Sequence, residues 1–334
     1  MQFSVVSGKT VHRWILGDVG RCVEIIRGAY MAHHRGETVN PHSHFLRFPH
    51  RPSARIIALP AWIGGEQPVS GIKWIASFPE NLKAGLPRAS AVIILNDEET
   101  GHPFACLEGS VVSAARTAAS AVLAAATIVG ERRASTLGIV GTGLIARYVY
   151  TFLMQMGWTV ERVGLFDKDP GEARRFGAAV CRSGEHAEVF LADDAASLMR
   201  RSDLVLFATT ASAPGVDDPG LLSHAPVVLH LSLRDLAPSM ILAAQNIVDD
   251  VDHVMNAGTS LHLTEQQEGR RTFVTGTLAE LLCGEVTVDR ARPVVFSPFG
   301  MGILDLALAR WVFEQACAEQ DVTRVEDFFF DLSR

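Results

Sequence analysis

The stretch LGIVGTGLIARYVYTF, residues 137–152, carries three glycines within six positions and then becomes uniformly helical in character. Gly141-Thr142-Gly143-Leu144-Ile145-Ala146 is a G-x-G-x-x-A turn placed between an apolar strand and a helix. The first glycine permits the turn, and the second lets backbone approach a pyrophosphate. The small Ala146 lets the helix sit close to the strand. Backbone N–H groups at the helix start then face the phosphates. Asp167 ends the next apolar run, VERVGLFD, 24 residues after Gly143. An acid there accepts a hydrogen bond from a ribose 2′-hydroxyl and repels a 2′-phosphate, which favours NAD over NADP. Lys168, the next residue, softens that preference.

Working outward, the alternation continues on the C-terminal side. Apolar runs at STLGIVG, VERVGLFD, HAEVFLAD, SDLVLFATT, APVVLHLSL and QNIVDDVDHV are separated by helical patterns such as PGEARRFGAAVC and DAASLMRR. Strands alternating with helices predict βαβ units and a parallel sheet covered on both faces. Thr209 and Thr210, in FATTASAP, follow a later strand of that series, where ligands of such folds gather. They are expected either to touch the nicotinamide or simply to begin a loop. The cluster Asp249, Asp250 and Asp252 is expected to be a solvated strand end.

On the N-terminal side, RIIALPAWI (55–63), GIKWIASF (71–78) and SAVIILND (90–97) are β-like and closely spaced, broken by PHSH, PHRP and GGEQP. They predict an antiparallel or mixed sheet over residues 1–100. An Ala-rich helix follows over about 108–129, and an amphipathic helix over 302–320 returns to the first domain. The expected fold class is therefore α/β: a Rossmann-type parallel-sheet nucleotide domain (129–301) and a discontinuous α+β substrate and dimerisation domain (1–128 with 302–334).

With 334 residues, 48% of them hydrophobic and 20% charged, the chain reads as globular. A net charge of −7 disfavours nucleic acid or an anionic membrane surface as a partner. The five cysteines are scattered without a C-x-x-C pair, which suggests reduced thiols and a cytoplasmic protein. The opening MQFSVVSGKTVHRWI contains no apolar signal-like run, and the apolar stretch 110–130 carries Arg116, which suits a packed helix better than a membrane span. His33, His34, His42, His44 and His50 lack companion ligands at metal-binding spacing, so no metal is expected.

Cations stand out in this acidic chain. Arg47, Arg51, Arg55, Lys73, Arg88 and Arg116 lie in or beside apolar segments. Arg116, among alanines and serines, requires a partner, either a structural carboxylate or that of a substrate.

GIKWIASFPENLKAGLPRASAVIIL, GHPFACLEGSVVSAARTAASAVLA, LGIVGTGLIAR, LFDKDP and SPFGMGILDLALA together resemble the ornithine cyclodeaminase/mu-crystallin family over nearly the whole chain. NPHSHFLRFPHRPSARIIALPAWIGG and HLSLRDLAP resemble its branch that oxidises N-(2-amino-2-carboxyethyl)-L-glutamate. The resemblance implies a homodimer formed through the first domain and NAD-dependent cleavage of that amine to 2-oxoglutarate and L-2,3-diaminopropionate. The alternatives it leaves are ornithine cyclodeamination and a non-catalytic NAD(P)H-binding protein. It implies Asp235 as the catalytic aspartate and puts Arg47, Lys73 and Arg116 where the family holds a substrate carboxylate; Lys73, desolvated between arginines, is expected to have a lowered pKa and to act catalytically by exchanging protons. Arg47 is chosen over Arg51 and Arg55 by its 13-residue spacing to Pro60. Arg88 and Arg234 stand where cyclodeaminases carry neutral residues, which suits a polyanionic substrate rather than one with a free ammonium group. The PFGMG segment, with Met301, is expected either to close over the nicotinamide or to be a plain turn.

Overall fold

The computed structural model describes residues 3–65, 68–181 and 184–330. Glu66 and Gln67 of the GGEQP turn, and residues 331–334 of the C-terminal segment, lie outside them. The chain divides into two compact units, residues 1–116 with 301–334, and residues 117–300.

The first unit opens with β1 (Phe3–Val6), α1 (Gly8–Gly17) and α2 (Val19–His34). These helices depart from the expected run of short strands over residues 1–100. Ser7 and Asp18 cap them by accepting from the amides of Thr10 and Arg21. Their buried positions, Val11 and Ile15, then Cys22, Ile26 and Tyr30, follow helical spacing. Next come β2 (Thr38–Val39), β3 (His44–Phe48), β4 (Arg51–Ile63), β5 (Val69–Ser77), β6 (Ala89–Asn96) and β7 (Pro103–Glu108).

The long helix α3 (Gly109–Val129) contains the unit boundary, earlier than the 128/129 division expected from sequence. It is apolar and long enough to cross a bilayer, but 67% of its most apolar window is buried within the protein, so it is a core helix.

The second unit runs β8 (Arg133–Val140), α4 (Leu144–Gln155), β9 (Thr159–Phe166), α5 (Pro170–Ala179), β10 (Glu188–Leu191), α6 (Ala195–Arg200), β11 (Leu204–Phe207) and β12 (Val227–His230). It continues through α7 (Pro238–Leu242), β13 (Gln245–Val248), α8 (Val251–Val254), α9 (Ser260–Glu268), β14 (Val274–Thr277), α10 (Leu278–Cys283) and β15 (Val294–Ser297). The chain then re-enters the first unit with α11 (Gly302–Ala318) and β16 (Thr323–Val325).

The first unit's sheet has the order β16-β1-β7-β6-β5-β4-β2, with β3 also on β4. It is mixed: β1 runs parallel to β7, whereas β4, β5, β6 and β7 form an antiparallel meander. Helix α11 packs on β4 and β5. The amphipathic pattern expected of α11 is not observed. Residues 302–306, Leu308, Ala309, Val312 and Ala316 are buried, so most of its circumference is covered.

The second unit's sheet is wholly parallel, in the order β10-β9-β8-β11-β12-β15-β13-β14. Every residue of β11, β12, β13 and β15 is buried, as both-face coverage requires. Strand order reverses between β8 and β11. Ligands of doubly wound sheets settle outside the carboxyl ends at such a switch point.

Candidate active site

In the second unit, the glycine turn leaves β8 at that switch point. Gly141 has φ +88°, and a Cβ there would lie 2.7 Å from the Ala208 carbonyl oxygen. Fold geometry alone therefore demands this glycine. Gly143 differs. Its φ is −79°, and a Cβ would meet no atom within 4 Å. Nothing in the protein crowds that position, so the space over Gly143 is open to a group that approaches from outside. Gly143 caps α4 without a side-chain hydrogen bond, which leaves the helix's first N–H groups for an anion. Leu144 is exposed, Ile145 partly so, and Ala146 is buried.

Asp167 braces the turn. Its Oδ2 accepts from the Thr142 amide (2.8 Å) and Oγ1 (2.9 Å), and its Oδ1 accepts from the Asp169 amide (3.0 Å). A carboxylate offers about four acceptor positions, so a place on Oδ1 remains for a hydroxyl. The residues fit a dinucleotide.

Beyond β11 and β12 lies a second constellation. Asp235, 5% exposed, accepts from Thr209 Oγ1 at 2.5 Å on Oδ1 and from Ser232 Oγ on Oδ2. Buried His230 lies 3.4 Å from Oδ2 through Nε2, while its Nδ1 is 3.1 Å from Ser297 Oγ. The Asp235 amide also points at His230 Nε2, 3.2 Å away. Burial pushes the Asp235 carboxyl upward, but hydrogen bonding with His230, Ser232 and Thr209 outweighs it and holds the group below the usual carboxylate range. Thr209 is thus engaged in holding Asp235, and Thr210 is exposed. Arg234 donates to the Ala257 carbonyl at 2.7 Å.

Asp249 corrects the expectation of a solvated strand end. It is 2% exposed, and its carboxylate accepts from the amides of Phe299 (2.9 Å) and Gly300 (2.6 Å). The acid fixes the backbone of the PFG turn. Asp250 caps α8, and exposed Asp252 pairs with Arg271.

In the first unit, Lys73 of β5 is 2% exposed. Its Nζ donates to Asp305 Oδ2 at 2.5 Å and to Ser113 Oγ at 3.3 Å. Asp305, on α11, is fully buried, and its other oxygen lies 3.4 Å from Arg116 Nε on α3. Lys73 and Arg116 thus share the Asp305 carboxylate. Burial lowers the Lys73 pKa to about 8, with Asp305 opposing and Arg116 reinforcing the shift. Asp305 was missed in the sequence. The signal was an acid inside the apolar run GILDLALA, the counterpart of Arg116 among its alanines.

The other cations lie farther along the same sheet. Arg47 stands exposed on β3, its guanidinium 5.1 Å from the Phe45 ring centre, directly opposite Arg55 on β4. Arg88, just before β6, donates to Ser77 Oγ at 2.9 Å. Met301 is fully buried at the N-cap of α11.

The sequence profile of the ornithine cyclodeaminase/mu-crystallin family matches residues 10–320. The chain belongs to that family. It is 28% identical over 302 residues to the N-((2S)-2-amino-2-carboxyethyl)-L-glutamate dehydrogenase of Staphylococcus aureus, covering 88% of this chain and 89% of that one. It is 24% identical over 317 residues to the alanine dehydrogenase of Archaeoglobus fulgidus, covering 93% and 95%. Among solved structures, Thermococcus litoralis Delta(1)-pyrroline-2-carboxylate reductase, in complex with NADH and L-proline, superposes with a TM-score of 0.88 over 97% of this chain and 100% of that one, at 22% identity. These matches carry the α/β fold with its parallel nucleotide sheet.

Proposed function

We propose that the protein is an NAD-dependent dehydrogenase that cleaves N-(2-amino-2-carboxyethyl)-L-glutamate to 2-oxoglutarate and L-2,3-diaminopropionate. The observation that carries this reading is the buried Lys73–Asp305–Arg116 cluster, a lysine brought to about pKa 8 beside a carboxylate-binding arginine. The match to the staphylococcal dehydrogenase over most of both chains supports the choice of substrate.

Gly141–Ile145 and Asp167 would hold NAD, which would supply a hydride acceptor for oxidation at the glutamate Cα. The protein's own groups do the rest. Arg116 holds a substrate carboxylate and so fixes the carbon that is oxidised. Neutral Lys73 takes the proton from the secondary ammonium, freeing the nitrogen lone pair to form the C=N bond. Ionised Asp235, oriented by Thr209, Ser232 and His230, stabilises the resulting iminium and takes a proton from the water that adds to its carbon. Lys73 returns its proton to the nitrogen of that adduct, and loss of the hydroxyl proton as C=O forms breaks C–N, giving the 2-oxo acid and the primary amine.

A survey of candidate amines with NAD checks this. NADH should accumulate in step with 2-oxoglutarate when the aminocarboxyethyl glutamate is supplied. Proline and ammonia from ornithine, without net NADH, would reject the reading.

We also propose a homodimer formed through the sheet face opposite Lys73. Trp74 and Val92 sit opposite one another in register on β5 and β6, 41% and 40% exposed, and Leu46 of β3 on the same face is 47% exposed. A cluster of large apolar side chains on one open sheet face is what an interface covers. Sedimentation equilibrium should find a dimer, and Trp74→Glu should sediment as a monomer with nucleotide binding retained. A monomeric parent protein contradicts the proposal.

A further inference from the structure

The sheet that holds Lys73 carries a second basic group that the Lys73–Asp305–Arg116 cluster does not absorb. On β4 and β5 the register pairs Leu59 with Lys73 and Arg55 with Ser77. Alternation then puts Arg55, Ser77 and Lys73 on one face. Arg47 is paired with Arg55 across β3 and β4, so it points to that face too. Arg88 donates to Ser77 Oγ, which aims a third guanidinium at the same row. Burial and then Arg47 lower the pKa of Arg55, while burial and then Arg55 lower that of Arg88.

Like charges directly opposite in a sheet are destabilising, and this protein has carboxylates to spare, 37 acids against 30 lysines and arginines. Arg13, Arg271 and Arg310 all pair with acids. Among the described residues, Arg47, Arg55 and Arg88 have none. A costly arrangement left without its counter-ion points to a ligand that brings one.

We infer that Arg55 and Arg88, with Arg47 at the rim, form a subsite for a second carboxylate of the substrate, distinct from the group held at Lys73 and Arg116. Four residues of strand separate the two rows, about 13 Å at ~3.3 Å per residue. A substrate with carboxylates at separate ends has one group for each row. The subsite selects dicarboxylic substrates and rejects alanine-, proline- or ornithine-like ones, which leave the guanidinium row unpaired. It rests on the dehydrogenase reading only for the identity of the molecule that carries the carboxylates.

The test is binding, measured by calorimetry on the full-length protein with 2-oxoglutarate, its monocarboxylate analogue 2-oxopentanoate, and inorganic phosphate. The parent protein should favour 2-oxoglutarate over 2-oxopentanoate. Arg55→Gln and Arg88→Gln should each weaken 2-oxoglutarate by roughly tenfold to a hundredfold, the worth of a charge-assisted hydrogen bond. Affinity for 2-oxopentanoate should hardly change. Both variants should melt no lower than the parent, because each removes an uncompensated cation, and this guards against misfolding as the cause. Equal weakening of both oxo acids, an unchanged preference, or arginine-dependent binding of phosphate tighter than that of 2-oxoglutarate would overturn the subsite. Arginine-dependent selectivity without NADH formation from the secondary amine would instead retain the subsite and remove the reaction.

Discussion

Lys73→Ala is expected to lower turnover of the secondary amine by about 10²–10⁴-fold, the range for loss of a positioned acid–base group, while NADH binding stays near the parent value. In the parent, the pH–rate profile should rise through about pH 8, where burial sets the lysine's pKa. That limb should vanish in the variant. Stability follows the same titration with a definite sign. The folded-state pKa lies below the ordinary 10.5, so between about pH 8 and 10.5 the unfolded chain keeps a proton that the folded one has shed. Parent stability should therefore rise relative to Lys73→Met across that window and show no such relative slope below it. Deleting the lysine also strips fully buried Asp305 of one partner. Breaking a buried pair costs ~3–5 kcal/mol when a bare charge remains. Arg116, still 3.4 Å from the carboxylate, keeps the loss below that range. Unchanged turnover in a folded Lys73→Ala protein removes the lysine from the chemistry.

The asymmetry between Lys73 and Asp305 shows what could be read along the chain. Arg116 among alanines announces an unmet charge, but its carboxylate lies 189 residues away and reaches it only because α11 re-enters the first unit. Sequence supplies the demand and not the supplier. Alternation along β4 is enough to put Arg55 and Leu59 on one face. The β3–β4 register that sets Arg47 against Arg55 depends on a hairpin with an irregularity between Arg47 and Phe48, and no spacing rule delivers that. Asp249 failed for a different reason. A run of acids looks the same whether water or buried amides satisfy it, and the amides of Phe299 and Gly300 come from a turn 50 residues on. By contrast, the glycine turn, the parallel strands and Asp167 follow one another in the chain, so local pattern was sufficient for them. The N-terminal helices also carry a local signal, in the caps Ser7 and Asp18 and in apolar positions at helical spacing, which an expectation of short strands passes over.

Gly141 and Gly143 should separate stability from binding. Gly141→Ala forces a side chain into φ +88° and places its Cβ 2.7 Å from the Ala208 oxygen, between the two strands that flank the switch point. Backbone cannot yield there cheaply. Left-handed strain and overpacking each cost ~1–3 kcal/mol, so the variant should melt well below the parent and bind nucleotide poorly. Gly143→Val meets no protein atom within 4 Å at its Cβ, and a φ of −79° suits any residue. Gly143 is the N-cap of α4, where valine is less favourable than glycine by about 1 kcal/mol, so the variant should melt only a few degrees below the parent and well above Gly141→Ala. Its NAD affinity should nevertheless fall by about a hundredfold, because the branched side chain occupies the space through which a pyrophosphate reaches the α4 amides. Calorimetric titration with NADH beside thermal melts of both variants reads the two effects separately. If Gly143→Val binds NADH as the parent does, the open space over Gly143 has no dinucleotide in it, and residues 141–146 are a turn and nothing more.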